Sequence, residues 1–396
     1  MINRKTRFIL IGLLSFAILS CKVHWSKAIQ RGSVASQDFH ETVKYELRKG
    51  LIFVPVTIKG KKYRFLFDSG APFSISNKIQ AEYGFKVVSA SNIVDSDENR
   101  KKVEWCEVDS FGIGDIWFSK QSAFVGDFEA NPVLACLEID GILGSNIIRQ
   151  GFFTIDPESN TLTISSALDI DTTEVTSIPF KGNSQFSMFI DLNIAEFEVQ
   201  RTLVDYGFNG FLEIDSLIYD SLQQRELIGK TWVETGMEQS GVIGKAVEFT
   251  GRITSSESVR IGNLSAGNTI IFVENESKIG NRLLSRFKVT IDWQHKLLHF
   301  APIESTEDTV SLAGFKLGYA DEGVYVMSVI ENTDAFNQGM RPNMRVIELD
   351  NIVFDDLNSY CDYVFSDMGD PKEVVLVDDT GDSLELNIKP VLMLSR

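Results

Sequence analysis

The sequence predicts a mainly β protein made of two homologous β-barrel lobes, followed by a smaller α+β domain. The chain has 396 residues, more than one hydrophobic core usually supports, so two or three domains are expected. Its 28 Phe residues, with many Ile and Val, recur in short runs of alternating polarity, which is the period of a strand. Segments before residue 302 repeat, whereas the remaining residues follow another pattern.

The repeat is an internal duplication with a nearly constant register. Residues 144–148 (GSNII), 153–156 (FTID) and 162–164 (LTI) match 280–284 (GNRLL), 289–292 (VTID) and 298–300 (LHF) at a shift of 136. Upstream, residues 67–70 (FDSG) match 204–207 (VDYG) at a shift of 137. A repeat of this length indicates duplicated domains. We place the two lobes at residues 40–170 and 175–302, and the α+β domain at 305–394.

Each copy has a hairpin that ends in an Asp-x-Gly turn. In the first copy, alternating apolar residues from Ile52 to Ile58 lead through a turn at Gly60 into a strand that ends at Asp68. In the second copy, a similar hairpin ends at Asp205. Glycine after the Asp permits a tight turn and the close approach of another backbone. The duplication is therefore expected to bring two carboxylates face to face.

Two adjacent carboxylates are suited to hydrolysis. They share one proton, because both cannot ionise cheaply. The ionised member can take a proton from water while the protonated member donates to the carbonyl oxygen that the water attacks. We predict that Asp68 and Asp205 are the catalytic pair. The residues expected to support the pair are Ser69, Gly70, Tyr206 and Gly207.

These motifs resemble those of a known family. Residues 67–71 (FDSGA) resemble the Asp-Ser/Thr-Gly-Ala signature of retropepsin-like and pepsin-like aspartic peptidases, and residues 140–146 (DGILGSN) resemble the hydrophobic-hydrophobic-Gly element that backs it. Over roughly residues 43–302 the arrangement resembles the two-lobed aspartyl peptidase lipoproteins of Bacteroidota-type bacteria. The resemblance implies an acid-protease-like fold and an endopeptidase that acts on polypeptides and needs no cofactor.

The second copy departs from the family pattern. Tyr206 stands where Ser or Thr is expected, and residues 278–280 (KIG) match the glycine element less well than Ile142, Leu143 and Gly144 do. The alternative function is therefore a catalytically inactive pseudopeptidase that binds peptide or acts as a scaffold.

Hairpins that cover the cleft are also expected. The polar run at residues 95–100 (DSDENR) is the candidate tip of the first hairpin, and Gly236, Gly241 and Gly244 mark the second. Solvated connecting loops are the alternative for both segments.

The last domain resembles a PDZ domain of the bacterial type. The resemblance rests on residues 334–347 (DAFNQGMRPNMRVI), which lie between a predicted strand at 324–329 and a predicted helix with Leu357, Cys361 and Val364 on one face. It implies that an extended peptide binds at a sheet edge. Gly318 lies in the candidate carboxylate loop, and Val324 and Val326 lie on the strand expected to receive the peptide. A module for intramolecular packing is the alternative.

The N-terminus predicts export. Arg4, Lys5 and Arg7 precede a 12-residue apolar run, which is too short to span a bilayer and is typical of a signal peptide. The run ends in residues 18–21 (ILSC), which resemble a bacterial lipobox. We expect residues 1–21 to be a lipoprotein signal, with Cys21 acylated as a membrane anchor in the cell envelope. An ordinary signal peptide or an uncleaved anchor is the alternative.

The charge, cysteine and histidine content of the chain bears on three questions: nucleic-acid binding, disulfides and metal sites. With 55 acidic and 38 basic residues the net charge is −17, which disfavours nucleic acid as a partner. Cys106, Cys136 and Cys361 remain after Cys21; Cys106 and Cys136 could pair, but buried free thiols are the preferred interpretation. The four His residues are too scattered for a metal site, so none is predicted.

Overall fold

The computed structural model describes residues 24–171, 173, 175–303, 310–378 and 380–394. The fold is mainly β, which confirms the predicted class, and most of its helices are short. We call residues 24–171 the first half, residues 175–303 the second half and residues 310–394 the C-terminal part. The predicted signal segment with Cys21 lies outside the described residues. Among the described helices, none is long and apolar enough to span a bilayer.

The first half consists of hairpins with short helices between them. Its strands are β1 (Ser33–Val34), β2 (His40–Lys44), β3 (Glu46–Arg48), β4 (Leu51–Ile58), β5 (Lys61–Phe67), β6 (Ser74–Ser76), β7 (Lys86–Val94), β8 (Arg100–Ile113), β9 (Ile116–Gly126), β10 (Gly141–Leu143), β11 (Phe152–Asp156) and β12 (Thr161–Ser165). Its helices are α1 (Trp25–Ala28), α2 (Asn77–Tyr83), α3 (Pro132–Leu137) and α4 (Ser145–Ile148), with a 3-10 turn at Phe128–Ala130.

The second half repeats this order of elements. Its strands are β13 (Thr176–Pro179), β14 (Lys181–Gly182), β15 (Met188–Ile194), β16 (Phe197–Asp205), β17 (Leu212–Asp215), β18 (Trp232–Glu238), β19 (Val247–Ile261), β20 (Leu264–Glu274), β21 (Lys278–Gly280), β22 (Phe287–Asp292) and β23 (Leu297–Pro302). Its helices are α5 (Ser216–Gln224) and α6 (Asn281–Leu284).

Six strands of each half pair in a closed circuit. In the first half the order is β4, β5, β10, β6, β9 and β8, and β8 returns to β4 through Thr57 and Gly112. In the second half the order is β15, β16, β21, β17, β20 and β19, and β19 returns to β15. Alternating apolar side chains fill the inside of each circuit. In β4, for example, Val54, Val56 and Ile58 are fully buried, as expected for strands with a period of two.

A shared sheet joins the two halves. Its strands follow the order β13, β23, β22, β11, β12 and β2, with β11 and β22 antiparallel at the centre. Thr154 pairs with Thr290, and their Oγ1 atoms are 2.8 Å apart. Because these residues are equivalent in the repeat of 136, a local twofold axis passes between them. Because the strands are antiparallel, Thr154 and Thr290 are the pair of this ladder at which the register coincides with the repeat shift of 136.

The C-terminal part has the strand predicted at 324–329 and the predicted helix with Leu357, Cys361 and Val364. Its elements are β24 (Val310–Leu312), β25 (Phe315–Ala320), β26 (Gly323–Ile330), α7 (Asp334–Asn337), β27 (Arg345–Leu349), β28 (Ile352–Val353), α8 (Leu357–Phe365), β29 (Lys372–Val377), β30 (Ser383–Ile388) and β31 (Val391–Leu394). Helix α8 begins at the capping box that Asp356 and Ser359 form. The C-terminal part has its own core, to which the fully buried Val326, Leu349 and Leu376 belong.

Two connections fasten the C-terminal part to the rest of the chain. Strand β18 of the second half pairs with β26, with Thr235 opposite Val329. A disulfide joins Cys136 in α3 of the first half to Cys361 in α8. The preferred interpretation of Cys136 and Cys361 as free thiols is therefore wrong, and so is the alternative pairing of Cys106 with Cys136. Only Cys106 is a buried free thiol among the described cysteines.

Candidate active site

Asp68 lies in a tight turn at the end of β5. Strand β10 runs parallel to β5, and the N–H of Asp68 donates to the carbonyl of Leu143 at 3.2 Å. The backbone N–H groups of Gly70 and Ala71 donate to Oδ1 of Asp68 at 2.8 and 3.0 Å. These bonds fix the orientation of the carboxylate, which is 9% exposed.

Asp205 occupies the equivalent turn at the end of β16. Strand β21 runs parallel to β16 and places Gly280 beside Asp205. The N–H of Gly207 donates to Oδ1 of Asp205 at 2.9 Å. Lys278, Ile279 and Gly280 thus lie beside the second turn as residues 142–144 lie beside the first. Their sequence matches the glycine element of the family less well than residues 142–144 do.

The two turns face each other, and each glycine packs against the opposite carboxylate. A Cβ atom on Gly70 would lie 2.8 Å from Oδ1 of Asp205, and one on Gly207 would lie 2.5 Å from Oδ2 of Asp68. Neither position has room for a side chain. The structure therefore brings together the four residues Asp68, Gly70, Asp205 and Gly207.

The hydroxyl of Ser69 forms hydrogen bonds to the second turn, but the hydroxyl of Tyr206 forms none to the first turn. The hydroxyl of Ser69 donates to the carbonyl of Val204 at 2.6 Å and accepts from the N–H of Tyr206 at 3.1 Å. The ring of Tyr206 is buried in the core, edge-on to Phe67 at 5.3 Å. Among the described residues its hydroxyl has no hydrogen-bond partner. The cross-links between the turns are therefore one-sided, at the position where Tyr206 stands in place of the expected Ser or Thr.

The electrostatics favour one shared proton. Burial, followed by the negative charge of Asp205, raises the pKa of Asp68 to about 8. The hydrogen bonds from Ala71 and Gly70 act in the opposite direction but do not outweigh these effects. Asp68 therefore holds a proton at neutral pH, as a carboxylate dyad requires.

A buried ion pair beside Asp205 was not predicted. Lys278 Nζ is 2.8 Å from an Oε atom of Glu213, and the side chains are 18% and 10% exposed. Burial chiefly raises the pKa of Glu213 to about 7, although Lys278 opposes this. Burial lowers the pKa of Lys278, but the charges of Glu213 and Asp205 outweigh it and raise the pKa overall. At the matching place in the first half the paired residues are Ile142 and Ser74, which carry no charge. The two halves therefore differ in charge beside their aspartates. The sequence hinted at this difference, because Lys278 stands where the first copy has Ile142.

The predicted hairpin tips meet across the two halves. Asp97, between β7 and β8, accepts from the N–H groups of Ser240 and Gly241 at 2.9 and 2.8 Å. Asp95 accepts from the N–H of Ile243 at 3.0 Å.

Gly236 is not part of a tip, because it lies inside β18. A Cβ atom there would be 2.7 Å from the Cα of Ser328, so this glycine permits the close approach of β26.

The residues predicted to bind a peptide lie in the interior of the C-terminal sheet. Val324 and Val326 are buried, and β26 pairs with β25 on one side and with β27 and β18 on the other. Gly318 pairs with Tyr325. The expectation that β26 presents an edge is therefore corrected, since a peptide could pair there only after another strand left. The sequence could not show this, because β18 comes from another part of the chain.

The neighbouring strand β25 is also covered. The N–H of Leu317 donates to the hydroxyl of Tyr363 at 3.0 Å, and the hydroxyl of Tyr360 donates to the carbonyl of Leu317 at 3.2 Å. Both tyrosines come from α8, which thus occupies backbone groups that an added strand would use.

Within the described ranges, no group of three or more His, Cys, Asp or Glu side chains is placed to hold a metal ion.

Comparison with known proteins agrees with the geometry of the first turn. None of the curated proteins matches the chain. The aspartyl protease family model matches residues 54–147, which run from β4 through Asp68 into α4. This segment of the chain is therefore similar to the aspartyl proteases.

Proposed function

We propose that the chain is an aspartic endopeptidase in which Asp68 and Asp205 activate water. The observation that carries the proposal is the reciprocal packing of Gly70 and Gly207 against the opposite carboxylates. This contact keeps the two carboxylates close enough to act together on a water and a peptide carbonyl. No covalent intermediate is required.

The two aspartates have different roles in this proposal. Asp68 is the acid, because its raised pKa keeps a proton that it can donate to the carbonyl oxygen. Asp205 is the base, since Asp68 holds the shared proton and the positively charged Lys278 interacts with Asp205. Asp205 takes a proton from the attacking water, and the proton of Asp68 moves to the oxygen as the tetrahedral intermediate forms.

The surrounding architecture supports a cleft that opens and closes. We assign the two closed sets of strands to the two barrel lobes of an acid protease. We also assign the hairpins β7–β8 and β18–β19, whose tips are joined, to a roof over the dyad, and we call them the roofing hairpins. A polypeptide can enter only when the bonds from Asp97 to Ser240 and Gly241 break. Motions of such hairpins gate many enzymes.

In this proposal the C-terminal part is a PDZ-like domain that holds one roofing hairpin in place. It holds β18, the first strand of the roofing hairpin, through the ladder to β26. Glu234 on β18 is buried and accepts from Ser328 and from Lys316 Nζ, the latter at 2.9 Å. Breaking such a buried pair is costly, so β18 stays attached. We place the protein in the cell envelope, anchored through acylated Cys21.

The second candidate is an inactive, peptide-binding relative of the peptidases. The one-sided link between the turns favours it, because Tyr206 supplies no hydroxyl bond to the first turn.

Peptide cleavage by single variants tests the proposal. The chain from residue 22, wild type, Asp68→Asn and Asp205→Asn, is incubated with peptide libraries from acidic to neutral pH. The matched control is Asp109→Asn, because Asp109 is exposed and pairs with Lys59 away from the dyad. We expect cleavage by the wild type and the control only. Cleavage that survives in both dyad variants contradicts the proposal. Peptide binding without cleavage by the wild type selects the inactive alternative.

A further inference from the structure

A cavity lies at one end of the sheet that joins the two halves. It has a volume of about 400 Å³ and is lined by residues of both halves, among them Phe39, Arg149, Phe186, Trp293 and Lys296. Trp293 and Lys296 lie in the turn between β22 and β23, and Arg149 follows α4. None of these residues belongs to the dyad or to the roofing hairpins.

Two positive charges face the cavity, each stacked on an aromatic ring. The guanidinium of Arg149 lies 4.3 Å from the centre of the Phe186 ring, and Lys296 Nζ lies 3.5 Å from that of Trp293. Such contacts hold a cation in place while leaving its other side free for a ligand.

These charges lack an acidic partner. No carboxylate in the part of the chain that the structure describes lies within ion-pair distance of Arg149 or Lys296. Burial lowers the pKa of both groups, and the positive charge of Arg149 lowers that of Lys296 further. In a protein of net charge −17, these two cations repel each other without a neighbouring carboxylate, and a bound anion would relieve the repulsion.

Buried donors at the same place are also unpaired. The indole N–H of Trp293, a residue that is 7% exposed, has no hydrogen-bond partner among the described groups, and neither does Nε of Arg149. Arg149 donates from Nη2 to the carbonyl of Gln30 at 3.0 Å. Buried donors are normally satisfied, so these atoms indicate that an acceptor is missing.

We propose that this cavity binds an anionic group of the phosphate class between Arg149 and Lys296. The guanidinium offers the planar donor arrangement that suits phosphate oxygens. The rings of Phe186 and Trp293 provide an apolar wall for the rest of the ligand. The source is either a soluble phosphate compound or a phospholipid head group, the latter because Gln30, which accepts from Arg149, is close in sequence to Cys21, the proposed lipid anchor.

Binding to two probes tests the proposal on the chain from residue 22, which retains every described residue. Inorganic phosphate is titrated by calorimetry, and vesicles of phosphatidylglycerol with phosphatidylcholine are compared with phosphatidylcholine alone by co-sedimentation. The variants are Arg149→Met, Lys296→Met and Trp293→Phe. The control is Arg201→Met, since Arg201 also stacks on a ring, 4.3 Å from the centre of Phe189, but lies outside the cavity.

The expected result is a roughly tenfold loss of affinity in each cation variant, since a charge-assisted bond is removed. Trp293→Phe should lose a few-fold and Arg201→Met nothing. Dependence of vesicle binding on Arg149 and Lys296 identifies a lipid source, whereas cavity-dependent binding of phosphate alone identifies a soluble one. The proposal is overturned if the wild type binds neither probe. It is also overturned if the Arg149→Met/Lys296→Met double variant binds as tightly as the wild type. Lys296 is exposed, so its variant tests the site without risk to folding.

Discussion

Replacing Lys278 tests whether the second half makes Asp205 the ionised member of the dyad. Lys278→Ile introduces the residue of the first half, Ile142, at the equivalent position of the repeat. The change removes the positive charge beside Asp205 and leaves Glu213 without its partner at 2.8 Å. The loss of the positive charge disfavours the ionised form of the neighbouring carboxylate.

The size of the effect follows from the charges in contact with the dyad. An opposite charge close to a carboxylate lowers its pKa by about one to three units. Burial raises the pKa of Glu213 to about 7, so on the acidic side Glu213 is largely protonated and does not offset Lys278. We expect the acidic limb of the pH profile to move up by about one unit, the lower end of that range. One unit equals about 1.4 kcal/mol, or a tenfold loss of kcat/KM on the acidic side. The upper limb, where Asp68 loses its proton, is expected near pH 8 in the wild type.

The assay is kcat/KM for peptide cleavage as a function of pH, together with an NMR titration of the aspartate carboxyl carbons. In Glu213→Ser/Lys278→Ile the whole pair is removed, and because Glu213 is largely protonated below pH 7, its acidic limb should coincide with that of Lys278→Ile. An unchanged limb in Lys278→Ile, or a wild-type limb in the double variant, refutes the reasoning. The NMR titration remains informative if no substrate is cleaved.

Three further predictions concern stability. Ser69→Ala leaves the carbonyl of Val204 and the N–H of Tyr206 unpaired and should lower the free energy of unfolding in urea by about 1–3 kcal/mol, whereas Ser69→Thr should retain most of it. Cys136→Ala opens the disulfide to Cys361, which spans 225 residues, and should cost about 2–5 kcal/mol under oxidising conditions. The folded-state pKa of Asp68, about 8, lies above its ordinary value of 3.8, so its contribution to stability is fully present below pH 3.8 and is lost progressively as the pH rises from there to 8. Asp68→Asn should therefore gain Tm relative to the wild type between these pH values.

Each of these predictions has an outcome that contradicts it. Ser69→Thr as unstable as Ser69→Ala would show that the hydroxyl bonds do not matter. The loss in Cys136→Ala must disappear when the wild type is reduced, and a difference that persists has another cause. A constant Tm difference between Asp68→Asn and the wild type across the pH range would show that Asp68 titrates normally.

Much of the dyad could be predicted because its signals are local and duplicated. Asp68 and Asp205 each end an alternating strand and precede a glycine two residues on, and the repeat equates them. The structure shows why both glycines are needed, since each lies against the opposite carboxylate. The consequence of Tyr206 was also predictable, because a phenol is too large for the place of a serine hydroxyl.

The features that sequence reasoning missed depend on contacts between distant segments. Glu213 carries no motif, and its pairing with Lys278 arises only when β17 and β21 become neighbours. The predicted peptide-binding strand failed for a similar reason. Its own pattern is that of any buried strand, and nothing near Val324 or Val326 reveals that β18 pairs with the strand on which they lie.

The sequence by itself determined that this protein is mainly β, that its first two parts are copies in a register of 136, and that one aspartate closes a strand in each. Such features follow from side-chain periodicity and turn chemistry, which act over a few residues. Only the tertiary structure decided that Cys136 bonds to Cys361, that β18 joins the C-terminal sheet and that Lys278 lies beside Asp205. Those pairings join segments far apart in the chain, and their choice depends on how whole units pack, for which no local pattern exists.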